Sequence, residues 1–145
     1  MKFLLKYNIS ILILSMLTIS ISCNHRNENQ ARKFLGFSLS DKSLTSIEEN
    51  EEWNNNPGGD GWEYVIFSFE SKDSLKIKKE CIAKKFKNLP IEESELPDGA
   101  IYKFIDTRNR DGYYKLEIDS IDKMSYSLAV VDLNKRNIVV YCGFY

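Results

Sequence analysis

Apolar and polar residues alternate with a period of two through the carboxy-terminal part of the chain. This period is typical of β-strands that turn one face towards a core. It predicts four successive strands, at residues 101–105, 113–118, 126–131 and 138–144. The connections at 106–112 and 132–137 are short and rich in turn residues, so we expect neighbouring strands to pair antiparallel.

Three further apolar segments lie nearer the amino terminus. Residues 34–39 and 62–69 are predicted strands. Residues 45–53 fit either an alternating strand or a short helix. The strand is favoured because residues 54–61, which are rich in Asn and Gly, then form a natural connection to the strand at 62–69.

One helix is predicted, over residues 71–88. Asp73 or Ser74 can cap its amino terminus, and Pro90 ends the pattern. Four apolar side chains share one stripe of this helix: Leu75, Ile82, Phe86 and Leu89. The elements together predict an α+β fold, in which a mainly antiparallel sheet of five to six strands has one helix packed on one face.

The amino terminus has the pattern of an exported protein. Lys2 and Lys6 precede an apolar run at 9–21, which is shorter than the roughly 20 residues that a membrane-spanning helix needs. The run ends on Ser20, Ile21, Ser22 and Cys23. This segment resembles the signal peptide of bacterial lipoproteins with its lipobox, although Ser20 stands where that class has a large aliphatic residue. The alternative is an ordinary signal peptide in which Cys23 is incidental.

The resemblance implies a location for the chain. In lipoproteins the chain is cut before the cysteine, whose thiol receives diacylglycerol and whose new amine receives a fatty acid such as palmitate. The chain would then consist of a signal peptide at 1–22, a lipidated tether at 23–33 and one globular α+β domain at 34–145. We expect it on the cell membrane or the outer membrane, facing away from the cytoplasm. The domain itself resembles small lipoproteins of bacterial envelopes only in short Gly-Asp-Gly, Leu-Pro and Gly-Tyr-Tyr motifs.

Charge and histidine content exclude several kinds of chemistry. The chain has 20 basic and 21 acidic side chains and a net charge of −1, so nucleic acid is not expected as a partner. Its one histidine, His25, lies in the predicted tether, which excludes a histidine-dependent catalytic triad or a zinc site with several histidines in the domain. We expect no cofactor and no metal.

Two cysteines remain after Cys23. Cys81 and Cys142 can form a disulfide, because an exported protein folds in an oxidising compartment. The alternative is that both are small buried hydrophobic residues, as free cysteines often are.

The aromatic residues on the predicted strands suggest a binding function. By parity Tyr113, Tyr141 and Tyr145 share one face of the sheet, and tyrosine is enriched at protein interfaces, so they are the candidate contact surface for a protein partner. The sequence therefore favours a membrane-anchored envelope lipoprotein that binds a partner without catalysis.

Two other functions stay open. A small envelope enzyme acting on glycans would use paired carboxylates such as Glu92 with Glu95 or Glu117 with Asp119. A passive structural lipoprotein would need neither a cleft nor an exposed aromatic surface. The lysine-rich helix can also meet an acidic partner or anionic headgroups.

Overall fold

The computed structural model describes residues 26–53, 61–95, 109–121 and 125–144. They form a six-stranded antiparallel sheet and two α-helices, which confirms the predicted α+β class but adds a helix. The helices are α1 (Arg26–Leu35) and α2 (Ser74–Ala83). The strands are β1 (Thr45–Trp53), β2 (Gly61–Ser68), β3 (Lys87–Asn88), β4 (Gly112–Ile118), β5 (Tyr126–Asp132) and β6 (Asn137–Phe144).

The strands lie in the order β1-β2-β6-β5-β4-β3. The last strand is therefore central, where it joins the β1–β2 hairpin to the β4–β5 hairpin. Val140 of β6 is opposite Val65 of β2 and Ala129 of β5. The predicted strands at 45–53, 62–69, 113–118, 126–131 and 138–144 are confirmed to within two residues. The predicted strand at 101–105 lies outside the described residues.

Both faces of the central strands are buried. On one face, which we call the helix face, side chains such as Phe67 and Val140 pack against Leu35 of α1 and Ile77 of α2. On the opposite face, Leu128 and neighbouring residues form a second apolar cluster. Burial on both faces corrects the period of two predicted for β5 and β6, because residues 128–131 and 138–141 are all buried, although the two strands themselves are confirmed.

Helix α1 corrects two predictions, the tether at 23–33 and the strand at 34–39. Ala31 and Leu35 are only 4% and 1% exposed, so the helix is part of the domain. The Arg32 side chain also faces inward, because its guanidinium lies 5.0 Å from the Phe67 ring centroid and donates to the Leu44 carbonyl at 2.8 Å. The polar composition of this segment hid the helix, because its two buried apolar residues, Ala31 and Leu35, lie four residues apart on one side. The helix is also stabilised by an ion pair between Glu28 and Arg32, again four residues apart, at 2.7 Å.

Helix α2 is shorter than predicted and buries a different stripe. It ends at Ala83 because Lys85 takes a left-handed backbone conformation (φ 59°). The Phe86 N–H then donates to the Cys81 carbonyl at 2.9 Å and the Lys85 N–H to the Ile82 carbonyl at 3.1 Å, which is a Schellman motif. The chain turns into the core at Phe86, so Phe86 and Leu89 are buried without being helical.

The buried stripe of α2 consists of Ile77 and Cys81. The predicted stripe is wrong for Leu75 and Ile82, which are 63% and 60% exposed. The prediction assumed one long helix that includes Phe86 and Leu89. Because α2 ends at Ala83, these two residues do not indicate which side of the helix is buried.

Candidate functional site

The two cysteines that were candidates for a disulfide are both free. Cys81 lies on the inner side of α2 within the core, and burial raises the pKa of its thiol to about 12. Cys142 lies on β6 opposite Ser127, whose Oγ is 3.4 Å from its Sγ, and burial raises its pKa too. Cys142 is only partly buried and lies outside the core cluster that contains Cys81. Of the two alternatives, a disulfide or a small buried hydrophobic residue, Cys81 fits the second. Cys23 lies outside the described residues.

The predicted tyrosine surface is not formed. Tyr113 and Tyr141 are only 8% and 3% exposed, and they belong to the clusters on opposite faces of the sheet. Tyr113 is opposite Val131, which is in turn opposite Ile138, so Tyr113 shares a face with Ile138. Tyr141 is three residues after Ile138 and must point the other way. Parity within separate strands did not define their register, and Tyr145 lies outside the described residues.

Instead, Tyr141 belongs to an aromatic stack on the face opposite the helices. Its ring centroid lies 6.0 Å from that of Trp62 and 5.9 Å from that of Tyr126, and Trp62 stacks on Tyr64 at 5.6 Å. Gly143 leaves the room that this stack needs, because a Cβ there would be 2.6 Å from the Tyr126 ring. Since these tyrosines are buried, the stack stabilises the fold and is not a contact surface.

A pocket of about 500 Å³ at the β3–β4 end of the sheet combines charged and apolar side chains. We call it the Tyr114 pocket. The described residues that line it are Lys85, Lys87, Ser94, Glu95, Tyr114, Lys115, Leu116 and Ile118.

The centre of the Tyr114 pocket is a network of three titratable side chains. Strand β3 places Lys87 directly opposite Tyr114, and a 3-10 turn at Glu93–Glu95 brings Glu95 to both. The Glu95 carboxylate accepts from Lys87 Nζ at 2.8 Å and from the Tyr114 hydroxyl. Lys87 Nζ also lies 5.7 Å from the centroid of the Tyr114 ring.

This network holds each member in one ionisation state near neutral pH. Hydrogen bonds from Lys87 and Tyr114 lower the pKa of Glu95. Burial and the hydrogen bond to Glu95 raise the pKa of Tyr114, and the hydrogen bond to Glu95 raises the pKa of Lys87. A general acid or base works best with a pKa near the operating pH. These shifts all move away from neutrality, so the arrangement suits binding and orientation more than proton transfer.

The walls of the Tyr114 pocket define the ligand chemistry that it can accept. Lys115 is occupied, since its Nζ lies 2.7 Å from Glu117 and donates to the Phe34 carbonyl at 3.1 Å. Lys85 is exposed and has no partner among the described residues, so its ammonium is available to an anion. Ile118 is also exposed and adds an apolar wall. The pocket therefore fits a ligand with an apolar body and an anionic group.

The carboxylate pairs noted in the sequence do not act as facing pairs in this pocket. Glu92 is exposed and is absent from the described lining, while Glu95 is already bound by Lys87. Glu117 and Asp119 line a second pocket of about 440 Å³ at the β4–β5 end. There Glu117 pairs with Lys115, and Asp119 accepts the Ile121 N–H at 2.6 Å.

Sequence reasoning had identified Glu95 but missed its two partners. The helix predicted at 71–88 includes Lys87, and the strand predicted at 113–118 includes Tyr114, but nothing in the two patterns brings these residues together. The left-handed turn at Lys85 brings Lys87 to Tyr114, and a lysine gives no sequence signal for that conformation.

The acid stability of the protein should report on this network. The folded pKa of Glu95 is below its usual 4.5, so its contribution is complete above that pH and is lost as the pH falls through the lower folded value. We expect Glu95→Gln to flatten the acid side of the curve of unfolding free energy against pH. Urea unfolding at a series of pH values measures this, with Glu92→Gln as the control. Equal slopes in Glu95→Gln and the unsubstituted protein would contradict the network.

Comparisons with models of known protein families, with curated proteins and with solved structures found no match. In the part of the chain that the structure describes, no cluster of three or more His, Cys, Asp or Glu side chains could hold a metal ion. Among those same residues, neither helix has the length and apolar character needed to cross a bilayer.

Proposed function

We propose that this protein is a lipid-anchored binding protein of a bacterial envelope, attached through Cys23 and facing away from the cytoplasm. The apolar run that ends on Ser20, Ile21, Ser22 and Cys23 supports the anchor. The position of α1 supports a close attachment, because the helix begins at Arg26. Three residue steps span at most about 10 Å, so a lipidated Cys23 would hold the domain directly at the bilayer surface.

The observation that carries the binding function is the Lys87–Glu95–Tyr114 network. It sets a hydrogen-bonded polar centre between the ammonium of Lys85 and the apolar walls at Leu116 and Ile118. Preorganised groups lose less conformational entropy when a ligand binds. The ligand class is a molecule or peptide with an apolar body and an anionic group, and the protein binds it without transforming it.

One fractionation and crosslinking experiment in the native cells tests both parts. Cys23→Ser should remove the protein from the membrane fraction or leave it unprocessed, because each acyl methylene buried in lipid contributes about 0.8 kcal/mol and several chains are lost. Palmitate labelling should be lost as well. Cys142→Ser is the matched control and should keep both.

The binding part uses a variant that stays on the membrane. Lys85→Asn removes the available ammonium, while asparagine tolerates the left-handed conformation. We expect the amount of crosslinked ligand to fall severalfold in Lys85→Asn. It should not change in Lys42→Asn, which substitutes another exposed lysine. Unchanged processing of Cys23→Ser would refute the anchor, and equal crosslinking of both lysine variants would refute binding in the Tyr114 pocket.

A further inference from the structure

Helix α2 presents an apolar stripe to solvent. Leu75 and Ile82 are 63% and 60% exposed, and they lie only about 20° apart around a helix with 3.6 residues per turn. The buried stripe of Ile77 and Cys81 lies on the other side of the same helix. Two large aliphatic side chains aligned on the outside of a helix cost free energy in water unless a further surface covers them.

Lysines surround this stripe. Lys78 and Lys79 are exposed and lie on either side of it, each about 40° from the nearer aliphatic residue in the same helical geometry. Residues 70–87 contain seven lysines and three carboxylates, although the whole chain has a net charge of −1. Positive charge is therefore concentrated around α2.

The carboxylates near α2 do not cancel this charge at the stripe. Glu70 is paired with Lys72 at 2.7 Å, and Asp73 is paired with Lys76 at 3.0 Å. The third carboxylate, Glu80, lies about 140° around the helix from Leu75, away from the stripe. Both pairs lie at or before the first turn of α2. Lys78 and Lys79 have no carboxylate partner among the described residues, so they are available to an external anion.

We propose that the outer face of α2, consisting of Leu75, Lys78, Lys79 and Ile82, binds flat on an anionic lipid bilayer. This docking rests on the lipid anchor proposed above. Aliphatic side chains between lysines are the composition of helices that lie in a membrane interface, where the apolar groups enter the headgroup region and the lysines meet phosphates. The occupant is the membrane that already carries the protein.

The arrangement of the helices favours the bilayer over an acidic protein. Both α1 and α2 pack on the helix face of the sheet, so their outer sides belong to one surface of the molecule. The residues that follow the two helices lie near each other, since a Cβ built on Gly36 would lie 3.9 Å from Cε of Lys84. Helix α1 begins three residues after Cys23. An anchored Cys23 would therefore keep the bilayer at a high effective concentration near both helices.

Docking through α2 also orients the Tyr114 pocket. Lys85 and Lys87 line that pocket and directly follow the helix. Tyr114 and Leu116 lie on the face of the sheet opposite the helices, so docking of α2 would turn the apolar wall of the pocket away from the bilayer.

Amine footprinting on the full lipidated protein tests the docking. The protein, purified from cells in detergent, is reconstituted into phosphatidylcholine vesicles with and without phosphatidylglycerol. It is then treated with a water-soluble acylating reagent, and labelled lysines are quantified by mass spectrometry. We expect labelling of Lys78 and Lys79 to fall severalfold on the anionic vesicles only, and to recover at high salt because screening weakens the attraction.

Two double variants sharpen the result. Leu75→Ser with Ile82→Ser should restore the labelling of Lys78 and Lys79 on anionic vesicles. Ile47→Ser with Ile121→Ser removes two aliphatic side chains elsewhere that are at least as exposed as Ile82, and should leave the protection intact. Equal labelling on both kinds of vesicle would overturn the docking, and so would protection that requires added envelope proteins, because the occupant would then be a protein.

The same sample separates this proposal from the anchor. The mass of the amino-terminal peptide shows directly whether Cys23 carries acyl chains. A peptide without acyl chains overturns the proposed anchor. An acylated peptide with fully labelled Lys78 and Lys79 overturns only the docking of α2.

Discussion

Gly112→Ala should destabilise the protein by about 3 kcal/mol, at the upper end of the range for overpacking. A Cβ at this position would lie 2.0 Å from the Val131 carbonyl oxygen and 2.9 Å from Cδ1 of Leu89. Val131 is on the neighbouring strand β5, so relief of the clash requires the β4 and β5 backbones to separate. The same movement weakens the hydrogen bond from the Leu89 N–H to the Gly112 carbonyl at 3.1 Å, next to β3.

Gly36→Ala is the matched control for this prediction. Gly36 has a left-handed φ of 62°, but a Cβ there would meet its nearest atoms only at 3.9 Å. Its cost is the backbone strain of a left-handed alanine, about 1 kcal/mol. Urea unfolding followed by circular dichroism compares the two variants. If Gly36→Ala were the more damaging change, backbone strain would outweigh the contact between β4 and β5.

The sheet was predictable from the sequence because its signal is local. Runs of strand-forming residues bounded by turn residues identified β2, β4, β5 and β6, and the connection at 54–61, rich in Asn and Gly, favoured β1 as a strand over a helix. Short connections indicated the antiparallel sense of neighbouring strands. The position of β6 beside β2 depends on pairing between residues 69 to 83 positions apart, for which a single sequence has no local signal. The same lack of a long-range signal explains the error at Tyr113 and Tyr141. Which residues of two strands lie on the same face of the sheet can be assigned only when the register between the strands is known.

The helices were less predictable because their buried stripes are short. Two inward residues, Ile77 and Cys81, hold α2, while Leu75 and Ile82 carry more hydrophobicity and point outward. A rule that places apolar residues inside therefore chooses the wrong side of α2. The exposed stripe that caused this error is the feature that now suggests membrane docking. The docking proposed above rests on this exposed aliphatic pair together with the lysines beside it.

The candidate site depends on this irregular geometry as well. The Tyr114 pocket forms because the chain leaves α2 at Lys85 and returns as β3, so Lys87 reaches Tyr114 and Glu95. Sequence reasoning found the carboxylate but paired it with Glu92, its neighbour along the chain. The partners of Glu95 come from β3 and β4, whose contact is set by tertiary packing.

The attachment of α1 to the sheet would determine how closely the proposed anchor holds the domain, and Ala31→Asp tests that attachment. Ala31 is 4% exposed and belongs to the core cluster of the helix face. An aspartate there would be a buried charge in an apolar cluster, which costs about 3–5 kcal/mol when it has no partner. Since typical domains are stable by only about 5–15 kcal/mol, we expect a large loss of stability.

Gln30→Asp adds the same charge on the exposed side of α1 and should change the free energy of unfolding by less than about 1 kcal/mol. The difference between the two variants isolates burial, because both place aspartate at adjacent positions of one helix. If both variants lost only a little stability, and to the same extent, α1 would not be packed on the sheet. Residues 23–33 would then be the flexible tether that their polar composition predicts. The proposed lipid anchor would then let the domain move away from the bilayer, whereas an α1 packed on the sheet would keep α2 within reach of it.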